Sequence, residues 1–251
     1  MNDIERFTGR VEDYERYRLG YPYEMMNTLK SECKLRWRHF IADIGAGTGL
    51  LSQIFLEYGN AVIAIEPNAE MRTACERLCM VWPGLTVKNA TAEDTGLADA
   101  SVDVIGVGRA IHWFDFDAAM REFHRILRPD GWIVLAANGR SCLSHQEHEL
   151  EHIFAEHAPD YKHVKERYRV HHQVVPQLRP ESLVRKKIHG EQHLTLDHFL
   201  GQVQSYSWTP HPGHPGHEPM QQALREHFDR WQVAGVLHLG TACYITAGQF
   251  A

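Results

Sequence analysis

Strand and helix patterns alternate along residues 40–138, and this alternation constrains the fold more than any other feature of the chain. The apolar runs are short and lack strict polar–apolar alternation, as expected for parallel strands that are covered on both faces. They span 39–45, 61–67, 85–90, 101–110 and 132–138, and helical spacing follows at 49–60, 68–82 and 115–131. Short links between such units predict an α/β fold with a doubly wound, mostly parallel sheet. A strand at 185–196 and a closing strand or hairpin at 235–250 would bring it to seven strands.

The remaining segments are less regular, and they predict three parts of the chain. Residues 1–38 read as an N-terminal helical lid with a helix at 22–35, and residues 39–138 as the ligand-binding α/β core. Residues 139–251 read as an insertion on the substrate side together with the closing strands of the same domain. Within it, 144–158 predicts a helix, and 211–219 predicts a loop because it holds three prolines and two glycines.

Composition narrows the function classes. The chain has 251 residues and a formal net charge of −6, which argues against nucleic-acid or anionic-membrane partners. Its longest apolar runs fall far below the roughly 20 residues of a membrane span, and its charged first residues do not resemble a signal peptide. Five scattered cysteines suit a reducing compartment. We therefore expect a cytoplasmic protein; nothing in the sequence indicates its oligomeric state.

The stretch "ADIGAGTGLLSQIF" at 42–55 follows the first predicted strand and carries glycine at alternate positions. Glycine tolerates positive φ and lets a ligand approach the backbone, and ligands bind outside the carboxyl ends of parallel strands. Glu66 stands at the end of the second strand, where a carboxylate can accept hydrogen bonds from both ribose hydroxyls. These positions predict an adenosine-like ligand.

The loop departs from the dinucleotide fingerprint, because Leu50 stands where its third glycine is expected. Asp43 precedes the loop; it would repel a pyrophosphate, but it suits a ligand that carries an ammonium group. S-adenosylmethionine has an ammonium, a carboxylate, a sulfonium and an adenosine. The loop therefore favours S-adenosylmethionine over a nicotinamide dinucleotide.

Four motifs in the expected order resemble those of class I S-adenosylmethionine-dependent methyltransferases, which have a Rossmann-like sheet. They are "IADIGAGTGLLS", "IAIEPNAEM", "ATAEDTGLADASVDVI" and "HRILRPDGWIVL". The resemblance implies that Asp43 and the loop hold the amino-acid end of the cofactor, Glu66 the ribose, and Ala92 and Glu93 the adenine. The cofactor-binding residues that it implies are Tyr17, Arg18, Asp43, Gly45, Gly47, Thr48, Gly49, Glu66, Pro67, Met71, Ala92, Glu93 and Arg109.

The flanking segments resemble a small-molecule subgroup related to trans-aconitate methyltransferase and its bacterial relatives. The resemblance lies in "FTGRVEDYERYRLGYP", "AIHWFD" and "SYSWTP". In such relatives the N-terminal segment folds over the cofactor, which would bring Tyr14, Tyr17, Arg18 and Tyr21 to the pocket. Leu19 and Gly20 depart from the subgroup's pattern.

The methyl group of a sulfonium is already activated, so the main role of the protein is to place the acceptor nucleophile in line with the methyl carbon. His112, just after the fourth strand, is the predicted catalytic base or acceptor contact, with a structural loop histidine as the alternative. The predicted acceptor-binding residues are Tyr14, Tyr21, His112, Trp113, Tyr206 and Trp208, and for the tryptophans and Tyr206 the alternative is packing between lid and sheet. Arg109 could contact the cofactor or an acidic substrate, or pair with a nearby aspartate.

Eighteen histidines raise the question of a metal. His145, His148 and His152 would share one helical face, and His211, His214 and His217 lie in the proline–glycine loop. Neither set has an acidic or cysteine partner fixed beside it, so we predict no metal. Methyl transfer to a nitrogen or oxygen of a small molecule is therefore the predicted function. The alternatives are a nicotinamide-dependent oxidoreductase and a non-catalytic protein that binds the cofactor or a metal.

Overall fold

A computed structural model, which describes residues 3–251, contains a seven-stranded sheet with the order β3-β2-β1-β4-β5-β7-β6. The strands are β1 (Phe40–Ile44), β2 (Ala61–Ile65), β3 (Leu85–Lys88), β4 (Val102–Gly108), β5 (Leu127–Arg140), β6 (Val184–Leu194) and β7 (Leu237–Gly248). The first five strands run parallel, whereas β7 pairs antiparallel with both β5 and β6. The prediction of a doubly wound, mostly parallel sheet is confirmed.

Helices cover both faces of this sheet. They are α1 (Val11–Tyr17), α2 (Glu24–Glu32), α3 (Leu50–Tyr58), α4 (Ala69–Arg77), α5 (Phe116–Ile126), α6 (His145–His157), α7 (Tyr161–Arg167), α8 (Leu196–Gln204) and α9 (His217–Trp231). On one face, Met25 and Met26 of α2 and Phe55 of α3 are fully buried. On the other face, α5 contributes Phe123 and Ile126. Since both faces are covered, the central strands are apolar on both sides.

Two predicted boundaries were wrong, and proline explains both. The helix predicted to reach residue 131 ends at Ile126, and β5 begins at Leu127 with an extended backbone (ψ 134°). A residue that precedes proline is driven away from the helical region, so Pro129 does not allow the helix to continue through Arg128. Conversely, α9 begins at His217, inside the loop predicted for 211–219. Pro219 is accommodated because the first turn of a helix needs no amide donor.

Helix α1, from the segment before the core, and helices α6 to α9, from the segment after it, form a layer above the sheet, which we call the lid layer. Tyr17 at the end of α1 packs directly on Gly201 of α8 and donates its hydroxyl to Asp197, at 3.0 Å. The buried Arg10 donates to the carbonyl oxygens of Gln204 (2.6 Å) and Thr209 (2.5 Å). The predicted lid, residues 1–38, includes two residues that lie outside the described range.

A separate apolar cluster, the lid cluster, fills the lid layer. It includes Phe154 of α6, Val164 of α7, Phe199 of α8 and Leu224 of α9, all buried. Within the described residues, no helix is long and apolar enough to span a membrane.

Candidate functional site

Two adjoining cavities open at the carboxyl ends of β1, β2, β4 and β5. β1 lies between β2 and β4, at the point where the strand order reverses, which is where open α/β sheets bind ligands. The outer cavity, of about 270 Å³, lies beside β2, and the inner cavity lies beneath the lid layer. The two cavities share Tyr14, Gly45, Gly108 and Arg109.

The glycine loop borders both cavities, but its three glycines serve different purposes. All three have positive φ: 67° at Gly45, 59° at Gly47 and 89° at Gly49. A Cβ at Gly45 would lie 2.5 Å from Cβ of Ala110, and one at Gly49 would lie 2.7 Å from Cδ1 of Leu78. A Cβ at Gly47 would meet no atom within 4 Å. The positive φ favours glycine at all three positions. Gly45 is in addition packed tightly on Ala110, whereas Gly47 presents bare backbone to the outer cavity.

Glu66 binds the glycine loop from the end of β2. Its Oε2 accepts from the amide of Gly47 and its Oε1 from the amide of Asn68, both at 2.8 Å. Burial raises the pKa of the Glu66 carboxyl, although these two hydrogen bonds oppose the rise. The side chain of Asn68 caps α4 by accepting from the amide of Met71 at 2.9 Å. Each oxygen of Glu66 keeps a lone pair for a ligand that fills the outer cavity.

Asp43 lacks a partner for one of its oxygens. Its Oδ2 accepts from the hydroxyl of Ser52 at 2.6 Å, whereas Oδ1 is buried and, within the described residues, receives no hydrogen bond. Burial raises the pKa of this carboxyl to about 7. A buried oxygen without a donor is costly. Because Asp43 lines the inner cavity, a cationic donor bound there would satisfy Oδ1 and restore the ionised form.

Three arginines, Arg18, Arg109 and Arg140, surround the inner cavity. The guanidinium carbons of Arg18 and Arg140 lie 4.4 Å and 5.7 Å from the centre of the Tyr206 ring. Arg140 pairs with Glu151 at 3.0 Å. Arg18 donates to the carbonyl of Ser205 at 3.3 Å and Arg109 donates to a backbone carbonyl, and no described carboxylate forms an ion pair with either.

The geometry around Arg18 leaves its charge poorly compensated. Burial and the nearby Arg109 both lower the pKa of Arg18, and the Nε atoms of Arg18 and Arg140 are buried without a hydrogen-bond partner among the described residues. Groups of this kind bind carboxylate or phosphate in a bidentate manner. The inner cavity therefore has the chemistry of an anion site.

The structure brings most of the predicted residues to these two cavities. The outer cavity is lined by Gly45, Gly47, Glu66, Pro67, Met71, Ala92, Glu93, Arg109 and Trp113. The inner cavity is lined by Tyr14, Arg18, Tyr21, Asp43, Gly45, Arg109 and Tyr206. Trp113, a predicted acceptor contact, thus lies on the side of Glu66, where its ring meets that of Phe7 edge to face at 6.1 Å.

Five predicted residues line neither cavity; His112 is one of them, and the other four are Thr48, Gly49, Tyr17 and Trp208. Thr48 is buried and Gly49 is the N-cap of α3. Tyr17 packs on α8, as described above. Trp208 lies in the lid cluster, stacked on Tyr206 with ring centres 4.9 Å apart.

His112 faces a third cavity, of about 590 Å³, which shares Arg109 and Arg140 with the inner cavity. Its ring lies 4.5 Å from that of Tyr168 and 4.4 Å from that of Trp113. Its carbonyl accepts from Nε of Arg167 at 2.9 Å. The structure therefore does not bring His112 to the place where the outer and inner cavities join.

Sequence reasoning missed two residues at the carboxyl end of β5 and two glutamines. Asn138 and Arg140 line the inner cavity, and the side chain of Asn138 donates to the carbonyls of Leu19 and Gly20, both at 2.8 Å. Their position at the carboxyl end of a parallel strand was a usable signal. Two further residues, Gln192 and Gln202, also line the inner cavity, but no local pattern marks them.

Comparisons with known proteins point to one family. Residues 42–135 match the model of a methyltransferase domain. An uncharacterised methyltransferase of Mycobacterium tuberculosis is 37% identical over 134 residues, which cover 53% of this chain and 52% of that protein. The chain thus spans about half the length of the curated relatives that it matches.

Solved structures share the fold over most of the chain. A candidate type II methyltransferase from Anaeromyxobacter dehalogenans aligns with a TM-score of 0.62 and 24% identity, covering 93% of this chain and 98% of that one. A phosphoethanolamine N-methyltransferase of Haemonchus contortus, solved with S-adenosylhomocysteine, aligns with a TM-score of 0.56 and 14% identity. That alignment covers 100% of this chain and 60% of the other.

Proposed function

We propose that this chain is a class I S-adenosylmethionine-dependent methyltransferase and that it transfers a methyl group to a nitrogen or oxygen of an anionic small molecule. The observation that carries the proposal is the buried Oδ1 of Asp43, which has no donor among the described residues although Asp43 lines the inner cavity. The adjoining outer cavity is lined by the bare backbone of Gly47. An ammonium group is the donor that this oxygen lacks.

The linings of the two cavities suit the two parts of the cofactor. Glu66 would hold the ribose, and Ala92 and Glu93 the adenine, in the outer cavity. Asp43 would hold the ammonium and Arg18 the carboxylate of the methionyl part in the inner cavity. The sulfonium would then supply the methyl group beside the residues that both cavities share.

The reaction is an in-line displacement in which the nucleophile of the acceptor attacks the methyl carbon and S-adenosylhomocysteine leaves. Holding the two reactants in line can supply roughly 7–11 kcal/mol of barrier lowering. The acceptor would bind on the side of Tyr206 and Arg140, and because the inner cavity measures only about 30 Å³, its entry would require the lid layer to open. A carboxylate oxygen or a neutral amine attacks without a base, so the mechanism does not require His112 to accept a proton.

The balance of charges in the inner cavity supports the proposal of an anionic acceptor. Asp43 and Arg18 are each neutralised by one end of the cofactor, and Arg140 is paired with Glu151. Arg109 then remains beside a cationic sulfonium with no described carboxylate as its ion-pair partner. Two unbalanced positive charges in a buried site favour an anionic acceptor, because an uncompensated buried charge is costly.

Calorimetric titration tests the cofactor part of this proposal. S-adenosylhomocysteine should bind at one site per chain, whereas NADH should not. Binding of NADH alone would favour the oxidoreductase alternative. Binding of S-adenosylhomocysteine without methylation of any acceptor would favour a non-catalytic binding protein.

A panel of small carboxylates, phosphates and amines, read by the mass increase of one methyl group, tests the acceptor part. Arg109→Gln should raise the KM for the acceptor and leave the KM for S-adenosylmethionine nearly unchanged, whereas Arg18→Gln should do the reverse. Methylation of neutral amines alone would contradict the anionic acceptor and would leave the methyltransferase activity standing.

A further inference from the structure

The β6–β7 pair extends beyond β5 and carries a polar cluster on its outer face. The last pair between β5 and β7 is Arg140 with Thr241, whereas β6 and β7 continue to pair as far as Leu194 and Leu237. One face of this extension carries buried leucines, among them Leu239, and packs into the lid cluster. The opposite face is exposed, and it carries the three residues Glu191, His193 and His238.

The register of the sheet holds these three side chains together. His193 and His238 are direct partners across the two strands, and their ring centres lie 4.4 Å apart. Glu191 lies two residues before His193, on the same face of the strand. Its Oε2 is 2.9 Å from Nε2 of His193, and its Oε1 is 3.7 Å from Nδ1 of His238. One ligand atom from each residue lies within 4.8 Å of the other two.

We infer that Glu191, His193 and His238 form a binding site for Zn²⁺. Two imidazole nitrogens and one carboxylate oxygen are a common three-ligand set for this ion, with water in the fourth position. Tetrahedral zinc with bonds of about 2.0–2.1 Å needs ligand atoms roughly 3.3 Å apart. The side chains need only small rotations to reach that spacing, and their exposure permits such rotations.

The histidine groups considered from the sequence do not offer such a set. Nδ1 of His152 is bonded to the carbonyl of His148 at 2.8 Å, within one turn of α6. Nδ1 of His214 accepts from the amide of Gly216 at 3.0 Å. Within residues 3–251, no other three histidine, cysteine or acidic side chains bring ligand atoms as close together as this cluster does.

The sequence prediction of no metal considered only histidines that lie close together along the chain. The two histidines of this cluster are 45 residues apart in the sequence. Its two histidines meet only because β6 pairs with β7, which brings His193 directly opposite His238. A contact between strands so far apart along the chain leaves no mark in local spacing. The prediction therefore could not take this cluster into account.

Zinc at this position would fasten β6 to β7 where they support the lid layer. Gln192 lies between the two β6 ligands but points to the opposite face, where it lines the inner cavity and accepts from the side-chain amide of Gln202 at 3.4 Å. The ion would thus brace the strand that carries Gln192. This inference does not depend on the proposed methyl transfer.

Titration of metal-free, tag-free protein with ZnCl₂ tests the site. Wild-type protein should bind one zinc at this cluster, and Co²⁺ in its place should give the visible absorption of a four-coordinate site. His193→Ala and His238→Ala should each weaken zinc binding by roughly tenfold or more, because each removes one of three protein ligands. His189→Ala, on the same strand and face, is the matched control and should bind zinc as wild type does.

Thermal unfolding supplies a second measurement. Zinc should raise the Tm of wild type and of His189→Ala, but not that of the His193→Ala/His238→Ala double variant. Equal Tm values of wild type and variants in EDTA verify that the variants fold. Glu191→Gln, which keeps the side-chain volume, should also weaken zinc binding. The inference is overturned if wild type takes up no stoichiometric zinc, or if the double variant binds zinc as tightly as wild type.

Discussion

Asp43, in the cleft at the end of β1, and Glu122, on helix α5, are both buried carboxylates. Only Glu122 has hydrogen-bond donors for both of its oxygens within the fold. Glu122 of α5 accepts from the amide of Thr95 at 2.9 Å, from the Thr95 hydroxyl, and from Arg125 through both oxygens at 2.8 Å. These donors lower the pKa of Glu122 to about 2. Asp43 has one hydroxyl donor and a pKa raised to about 7.

This difference indicates that Glu122 has a structural role, whereas Asp43 is suited to bind a ligand. Glu122 is stabilised in its ionised form within the folded chain, so its removal should affect folding. Asp43 is held in a fold that disfavours its charge, so its removal should affect binding. The predictions below test this distinction, from the largest expected effect to the smallest.

Asp43→Asn should weaken binding of S-adenosylhomocysteine by roughly 100-fold, because the ammonium loses its buried counter-charge. The same change should leave the free energy of unfolding unchanged or slightly higher, since it removes a buried charge that has a donor for only one of its two oxygens. Calorimetry and denaturant unfolding measure the two effects. A variant that binds normally would show that Asp43 does not contact the ligand.

Glu66→Ala should remain folded and lose roughly 10- to 100-fold in cofactor affinity, as expected for hydrogen bonds to a charged group. Calorimetry with S-adenosylhomocysteine measures the loss. Glu76→Ala is the matched control, because Glu76 is a half-exposed residue on α4 that lies 3.9 Å from Arg72. If both variants bind S-adenosylhomocysteine as wild type does, Glu66 does not bind the ribose.

Glu122→Gln should lower stability and leave cofactor affinity nearly unchanged, which is the opposite of the effect expected for Asp43→Asn. The free energy of unfolding, measured with denaturant, should fall by about 2 kcal/mol, because a partly buried ion pair with Arg125 is broken. Cofactor affinity should stay within about twofold of wild type. A large loss of affinity with unchanged stability would remove the contrast between the two carboxylates.

The pH dependence should also separate them. The folded pKa of Asp43, about 7, lies above its value in an unfolded chain, so the folded state holds its proton longer. Between about pH 4 and 7 this group makes the ligand-free protein less stable as pH rises, while cofactor affinity, measured by calorimetry, rises roughly tenfold from pH 6 to 8 as Asp43 ionises. Asp43→Asn should flatten the affinity profile in that window.

Local pattern explains how much of the site the sequence could predict. Asp43 and Glu66 stand at the ends of strands that apolar runs mark clearly, and their chemistry follows from that position. Tyr17 and Trp208 were misplaced because their surroundings are set by α8 and α6, which are distant in sequence from Tyr17 and Trp208 respectively. The two glutamines of the inner cavity were missed for the same reason.

The contact of Tyr17 with Gly201 joins α1 to α8 above the inner cavity, and Arg10 strengthens it through two carbonyls. In the proposed function, release of S-adenosylhomocysteine from beneath the lid layer would require this contact to break. Product escape, rather than the chemical step, would then set the pace of successive turnovers, and parting of α1 from α8 would be the motion that limits it.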